Sequence, residues 1–470
     1  MAVAQFSGLA SGIDSASLID AIVEAREKTN ELRRADIDFI ESENEALEEL
    51  NTKLLAFNDL VDRFRTANAG GVSKKSSSSD STVATASVTS AANNATLTAT
   101  VTSVASAATA SFNDVYADTT SLMAANAVGT QTIGVDIGTG AELISVDVDI
   151  TSATTIQDYI DAFNADEDAS GRATASLVNV GTTSAPSYRI VVTSIKEGTE
   201  LGTIAFDVPT SGAGFGGNGD LQTRTVDQAT DATFTLSGIS GTITRSSNSI
   251  SDVITGVTFQ LSKAGSADIT ISDDADTSGD YFQELVDAYN DIVEFVGENN
   301  TVTRSEEGGE IVNTYGALAK TRVDNDFLSS FRTAFGGAAA TTGTTVTSFA
   351  SLGVSTNRDG TLAFDLDAFK TALSGDPIGT TELLRDLADE TAGINGFIYG
   401  YTKFDGAIDV AQKSNNSEIE TLNDKIAQLE RTTAKLRENL QGQFTRLEMI
   451  TAKLQSKQSE LTAVLQGLSS

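Results

Sequence analysis

A heptad repeat runs without a register break from Ile419 to Leu468, through IETLNDKIAQLERTTAKLRENLQGQFTRLEMITAKLQSKQSELTAVLQGL. Most of its a and d positions are apolar. The a positions are Ile419, Ile426, Thr433, Leu440, Leu447, Leu454, Leu461 and Leu468, and the d positions are Leu422, Leu429, Leu436, Gln443, Ile450, Lys457 and Val464. This spacing predicts one apolar seam along a long helix, and such a seam needs a partner helix.

A second seam lies near the other end of the chain. Residues 15–66 are expected to form a helix with Asp14 or Ser15 as its N-cap. Its seam comprises Leu47, Leu50, Leu54, Phe57, Val61 and Phe64. A third stripe of the same spacing comprises Phe282, Leu285, Tyr289, Ile292 and Val296, on a helix expected from Tyr281. Two terminal seams can cover each other only if the ends of the chain meet, so the pattern predicts a helical stem that the chain leaves and re-enters.

The middle of the chain has the pattern of strands. Small β-prone residues alternate over 82–112, a clearer β pattern with one helix covers 130–208, and strands return over 232–271. A polar linker is expected at Ser73–Asp80. The order predicts an α+β multidomain fold, with a terminal α-helical coiled-coil stem and nested β-rich head domains. The predicted parts are an N-terminal leg segment (1–40), a helical stem domain (41–69 with 273–440), a β-rich head domain (80–112 with 220–272), an inserted β/α tip domain (113–219) and a C-terminal leg helix (441–470).

Composition excludes several kinds of site. The chain has no His, Cys or Trp, so a Ser-His-Asp or Cys-His arrangement and a thiolate or imidazole zinc site are impossible. We expect no catalytic residues, no metal and no cofactor. Acidic residues number 65 against 31 basic ones, giving a net charge of −34. A surface this acidic repels nucleic acid and anionic lipid, so neither is an expected partner.

Three short motifs resemble ligand sites and are better explained otherwise. Asp274–Gly279 matches the start of a calcium-binding loop, but its twelfth position is Leu285, so an acidic turn capping the next helix is favoured. The glycines of 212–217 fit a dinucleotide fingerprint that no predicted helix follows, which favours a hinge. Asp147 and Asp149 share one strand face, as a glycosidase pair could, but solvent exposure is favoured because the chain lacks aromatic platforms.

No targeting or membrane-spanning segment is expected. The first basic residue is Arg26, so the charged region that opens a secretory signal is missing, and no apolar run approaches ~20 residues. Ordinary routes would leave such a chain in the cytoplasm, and export independent of a signal peptide stays open.

Four stretches of the chain resemble the flagellar filament cap family, also called flagellar hook-associated protein 2. They are Ser11–Asp14 with the helix after it, Thr233–Ile239 together with Arg245–Leu261, Phe282–Val293, and Ser351–Leu362. Thr155–Ile195 is also similar to a small repeat of flagellin-like axial proteins. One departure is Gly316-Ala-Leu318, where the family often has an Asp soon after.

The resemblance implies a structural cap at the distal end of the bacterial flagellar filament, which promotes flagellin folding and polymerisation and prevents subunit loss. It implies a closed-ring homo-oligomer, flagellin as partner, an export chaperone and hook-associated proteins as further partners, no membrane insertion, and export by the flagellar type III route. The chain is thus expected to be extracellular and not an enzyme. The alternative is a surface adhesin that binds through the 113–219 tip.

The seams also predict the site residues. We expect the outer ends of the two terminal helices to dock on the filament, because the seam beyond about Leu447 faces an irregular N-terminal pattern. The predicted docking residues are Phe6, Leu9, Ile13, Leu18, Leu454, Leu461, Val464 and Leu468. The predicted coiled-coil core of the stem adds Leu422, Ile426, Leu429 and Leu436 to the six residues of the second seam.

Overall fold

The computed structural model describes residues 14–65, 70–208, 221, 223–307, 310–321, 323–337 and 345–468. The chain divides into two compact units. A helical unit combines Met1–Gly70 with Gly279–Ser470, and a β-rich unit comprises Gly71–Ser278. The first unit is therefore built from both ends of the chain, and the second lies between them in sequence.

The helices described are α1 (Ser15–Asp62), α2 (Ile156–Ala165), α3 (Thr199–Gly202), α4 (Ala275–Asn299), α5 (Val323–Gly337), α6 (Leu366–Gly375), α7 (Pro377–Thr391), α8 (Phe397–Thr402) and α9 (Ala407–Leu468). The two longest, α1 and α9, stand at the ends of the chain, where the two seams predicted helices. Asp14 is the N-cap of α1 and accepts hydrogen bonds from the backbone N–H and the hydroxyl of Ser17, which lower the pKa of its carboxyl group.

The strands described are β1 (Lys74–Ser78), β2 (Ala84–Val88), β3 (Ala95–Ser103), β4 (Thr109–Phe112), β5 (Gln131–Ile137), β6 (Ile144–Ile150), β7 (Ala173–Asn179), β8 (Tyr188–Ser194), β9 (Ile204–Asp207), β10 (Arg224–Asp227), β11 (Ala232–Leu236), β12 (Ile243–Arg245), β13 (Ser249–Ile254), β14 (Val257–Leu261), β15 (Gly265–Asp273), β16 (Val302–Glu307), β17 (Glu310–Tyr315), β18 (Val354–Thr356) and β19 (Leu362–Phe364). Every pairing between these described strands is antiparallel. Antiparallel sheets can keep one face in water, which suits strands whose burial alternates residue by residue.

Two hydrophobic clusters form the core of the β-rich unit. One lies between the five-stranded sheet β1-β15-β3-β11-β12 and the three-stranded sheet β13-β14-β2, and includes Phe234 and Phe259. The other is covered by α2 and lies between the sheets β10-β4-β8-β7 and β6-β5-β9. Its members run from Ala108 to Ala229, so β4 and β10 belong to this cluster although the sequence placed them in the flanking head domain.

Aromatic contacts dominate the core of the helical unit. Phe57 of α1 meets Phe331 of α5 edge-on, with ring centroids 4.6 Å apart, and Tyr289 of α4 packs on the same ring at 4.7 Å. Phe282 of α4 stacks on Phe369 of α6 at 5.6 Å. Such aromatic pairs stabilise a core beyond the area they bury, and they tie the second seam and the α4 stripe into one bundle.

The predicted fold class is confirmed, with two local corrections. The expected linker at Ser73–Asp80 contains β1, because β15 offers a free edge on which even Ser-rich backbone can pair, from Lys74 opposite Asp273 onward. Helix α4 begins at Ala275 instead of Tyr281, because Asp274 accepts from the N–H and hydroxyl of Thr277 and so caps it. The division into five parts stays a prediction.

Candidate functional site

Polar contacts fix the pairing of α1 with α9. The side-chain amide of Asn44 donates to Asn416 at 3.1 Å and accepts from Asn415 at 3.0 Å. Further along, Arg34 forms an ion pair with Glu430 at 2.8 Å, and Asp20 pairs with Arg437. Residue numbers fall along α1 as they rise along α9, so the two helices are antiparallel. The described start of α1 thus lies opposite residues around 445 of α9.

The inner half of this pair is well packed. All six residues of the second seam are buried, and Ile426 of α9 is buried as well. Leu422, Leu429 and Leu436 are half-buried, as is Leu440. Buried polar residues also lie along these two helices, namely Ser15, Asn30 and Glu43 of α1 and Thr433 of α9. Asn30 accepts from Arg33 at 3.0 Å. Buried polar residues in a helical seam weaken packing but favour one register over others.

The outer half of α9 keeps its heptad, but the described part of α1 does not extend over it. Leu454 is 64% exposed, Leu461 62% and Val464 59%. Leu18 of α1 is 49% exposed. Leu468 ends α9, but its side chain lies outside the described residues, and so do Phe6, Leu9 and Ile13. From residue 447 to its end, α9 extends for about 33 Å at ~1.5 Å per residue.

Three more apolar side chains on the outer part of α9, which are not among the predicted docking residues, are also exposed. Met449, Ile450 and Leu465 are each more than half exposed. Ile450 holds a d position, so the heptad itself could have selected it. Leu465 and Met449 lie next to the d residues Val464 and Ile450 but hold no a or d position themselves, so the heptad pattern does not identify them. We name the outer surface of α9 formed by Leu447, Ile450, Leu454, Leu461, Val464 and Leu465 the apolar row.

The other candidate motifs supply no ligand site within the described ranges of the chain. Asp147 and Asp149 are exposed, and Asp149 accepts from the hydroxyl of Thr132 at 2.7 Å. The glycines of the 212–217 motif lie outside the described residues. Over the part of the chain that the structure describes, no group of three or more acidic side chains is placed to hold a metal ion. Among the described helices, none is long and apolar enough to cross a membrane.

Comparisons with known proteins assign the family. The sequence models of the flagellar hook-associated protein 2 N-terminus and C-terminus match residues 11–108 and 229–456. These two matches together span most of the chain. The chain belongs to the flagellar hook-associated protein 2 family. The predicted resemblance is thereby confirmed, and the role of a structural flagellar cap protein comes with it.

Individual members of the hook-associated protein 2 family are similar to this chain over most of its length. The chain is 27% identical over 357 residues to the B-type flagellar hook-associated protein 2 of Pseudomonas aeruginosa, covering 72% of each chain. It is 25% identical over 366 residues to flagellar hook-associated protein 2 of Salmonella typhimurium, covering 74% of each. The solved D1-D2-D3 domains of the flagellar cap protein FliD from Escherichia coli share the fold, with a TM-score of 0.57 at 20% identity over 80% of this chain and 99% of that one. The location that follows is association with the flagellum.

Proposed function

We propose that this cap protein holds the filament through the apolar row of α9, as a leg that inserts among the subunits at the filament end. One observation carries the proposal: the heptad of α9 continues unchanged where the described part of α1 no longer covers it, so Leu454 and Leu461 stay mostly exposed. Exposed apolar surface of this extent is typical of a surface made for another protein.

The free energy available from burying the apolar row suits a contact made during assembly. Burying a Leu- or Val-sized side chain stabilises a contact by ~1.5–3 kcal/mol. Leu454, Leu461 and Val464 together therefore offer at most about 4.5–9 kcal/mol to a partner, before the entropy of ordering is subtracted. That range suits a contact that forms on the filament and releases again as subunits are added beneath the cap.

The wider arrangement follows from the family resemblance. We propose that several copies form a closed ring, with the β-rich units as a plate and the terminal helices as legs, and that flagellin folds beneath the plate. Export through the flagellar type III channel, with an export chaperone, and contact with other hook-associated proteins belong to the same proposal. Such a role needs binding surfaces and no catalysis, membrane insertion or nucleic acid.

The test replaces Leu454, Leu461 and Val464 together by Ser. A control variant replaces Ala452, Gln458 and Ala463 by Ser, which lie on the same helix outside the a and d positions. Each variant is produced in a strain of the source bacterium that lacks this gene. We expect the seam variant to leave filaments short and to release flagellin into the medium, while the control variant restores full filament length.

A second measurement separates loss of docking from loss of folding. Circular dichroism of the purified variants should match that of the unchanged protein, because the replaced residues are already exposed. Normal filaments with the seam variant would refute the leg proposal. Among the described residues and the relatives, no observation favours the adhesin alternative, which predicts instead that an isolated 113–219 fragment binds surfaces.

A further inference from the structure

Three asparagines of this chain share one unusual geometry. Each side-chain amide donates to the C=O and accepts from the N–H of a single backbone residue. The pairs are Asn164 with Ala175 (both 2.9 Å), Asn248 with Ala105 (both 2.8 Å) and Asn290 with Leu362 (2.8 and 2.7 Å). We call them the asparagine clamps.

This reciprocal pair of bonds is the one that a neighbouring strand supplies. In an antiparallel sheet, alternate residues exchange both N–H···O=C bonds with the residue opposite. A primary amide carries a donor and an acceptor on one planar group, so it reproduces that exchange at one position. The clamps of Asn164 and Asn290, whose partners lie in β7 and β19, therefore each occupy the place of one residue of an additional strand.

The clamp of Asn164 lies on the open edge of β7. This strand ends the sheet β10-β4-β8-β7, so one side of it pairs with β8 and no described strand pairs with the other. Ile195 donates to Arg172, and Val180 donates to Ser187, so even-numbered residues of β7 bond towards β8. The backbone of Ala175 must then point to the open side, where the amide of Asn164 meets it.

Strand β7, which this clamp covers, is well suited to pair with β7 of a second copy of the chain. Residues 173–180, ATASLVNV, contain no charge and no proline in a chain of net charge −34. Val178 and Val180 are exposed. Uncharged, β-prone segments on an open edge are the ones that add a strand from another molecule. Two copies related by a two-fold axis could align this edge antiparallel without charge repulsion.

We propose that Asn164 guards the edge of β7 against strand addition by a second copy of the chain. Helix α2 holds Asn164, and the capping box between Thr155 and Asp158 fixes where α2 begins. Asn290 makes the same pair of bonds to Leu362 of β19, and Asn248 makes it to Ala105, which lies outside the strands. Each of the three asparagines falls within a stretch that carries the family resemblance, and the clamp gives those positions a physical role.

The test measures amide exchange and association in the full chain. Asn164→Ala removes both bonds, and Asn164→Ser, which keeps a hydroxyl near one of the two groups, is the milder variant. Gln157→Ala is the matched control, because it removes a side-chain amide bonded only to Asp161 within the same helix. We expect exchange at the Ala175 N–H to accelerate about tenfold or more in Asn164→Ala, since two hydrogen bonds are lost. Gln157→Ala should leave it unchanged.

Association is followed by light scattering over a range of protein concentrations. We expect Asn164→Ala to form an additional species that the unchanged protein lacks at the same concentration. A second change, Val178→Lys, should abolish that species by placing charge on the edge. Unchanged exchange at Ala175 would overturn the clamp, and faster exchange without new association would overturn the guard. If Asn164→Ala unfolds, Asn164→Ser decides by the same two readouts.

Discussion

Tyr159 provides a sharp test of the energetics in the core of the β-rich unit. Its ring packs between Phe112 and Phe163 and is fully buried, and its hydroxyl has no hydrogen-bond partner among the described residues. A buried polar group without a partner costs about 1–3 kcal/mol of stability. Tyr159→Phe removes the hydroxyl and keeps the ring, so we expect it to raise the free energy of unfolding of this core by about 1 kcal/mol.

Tyr116 supplies the matched comparison in the same hydrophobic cluster. It is also buried, but its hydroxyl donates to the backbone C=O of Met123 at 3.1 Å. Tyr116→Phe makes the same chemical change and leaves that carbonyl without its donor. We therefore expect it to lower the free energy of unfolding by about 1 kcal/mol. The two variants should differ by about 2 kcal/mol in opposite directions around the unchanged protein.

Native-state hydrogen exchange measures this difference locally, which suits a chain of several cores. The reporters are the amides of β5, whose Ile133 and Val135 are fully buried in the same cluster. A change of about 1 kcal/mol alters their exchange roughly fivefold, slower in Tyr159→Phe and faster in Tyr116→Phe. Amides of β14, in the other cluster, should not change. Equal acceleration in both variants would refute the reasoning, because the Tyr159 hydroxyl would then have a partner.

Three further predictions concern stability. Asp376 is buried and accepts hydrogen bonds from three backbone N–H groups. Asp376→Ala should therefore destabilise the helical unit by about 2–4 kcal/mol, seen as faster amide hydrogen exchange in α7. Unchanged amide exchange in α7 would contradict this prediction. Gly353 has φ +82°, and a Cβ there would lie 2.8 Å from a carbonyl oxygen, so Gly353→Ala should lower the melting temperature, at a cost of at least about 1–2 kcal/mol. Burial raises the pKa of Tyr116 and Tyr159 above the ordinary tyrosine value of about 10, so the unfolded chain loses these protons first and stability should fall as pH rises above about 10. The double Phe variant should show a shallower fall in stability, and an equal slope would contradict this prediction.

Much of the helical architecture could be predicted because its signal is local. A heptad needs only the spacing of apolar residues, so the α1 and α9 seams and the α4 stripe follow from the sequence. The N-cap of α1 at Asp14 follows from residue type and position, and the structure confirms it. Strand regions were also recognisable from alternation, which is why the confirmed fold class could be stated before any coordinates.

Strand partners could not be predicted, because pairing joins distant parts of the chain. β1 is rich in Ser and Lys and has no strand signal of its own; it forms because the edge of β15 accepts it, from Lys74 opposite Asp273 to Ser78 opposite Ile269. The asparagine clamps are equally invisible, since Asn164 and Ala175 lie in different elements and an asparagine is an ordinary surface residue. Packing that depends on such pairs becomes readable only in three dimensions.

The candidate docking surface depends both on the local heptad pattern and on the pairing of distant residues. The heptad of α9 is the same before and after Leu447, so periodicity alone cannot say where the seam stops being covered. That point is set by the register: Asn44 meets Asn416, and about 30 residues of α1 precede Asn44 in the described chain, so cover ends near residue 445 of α9. The extent of the described part of α1 thus sets which heptads of α9 are covered and which stay exposed. A shift of the register by one heptad, through Asn44→Leu with Asn415→Leu, would move the boundary by about 10 Å at ~1.5 Å per residue.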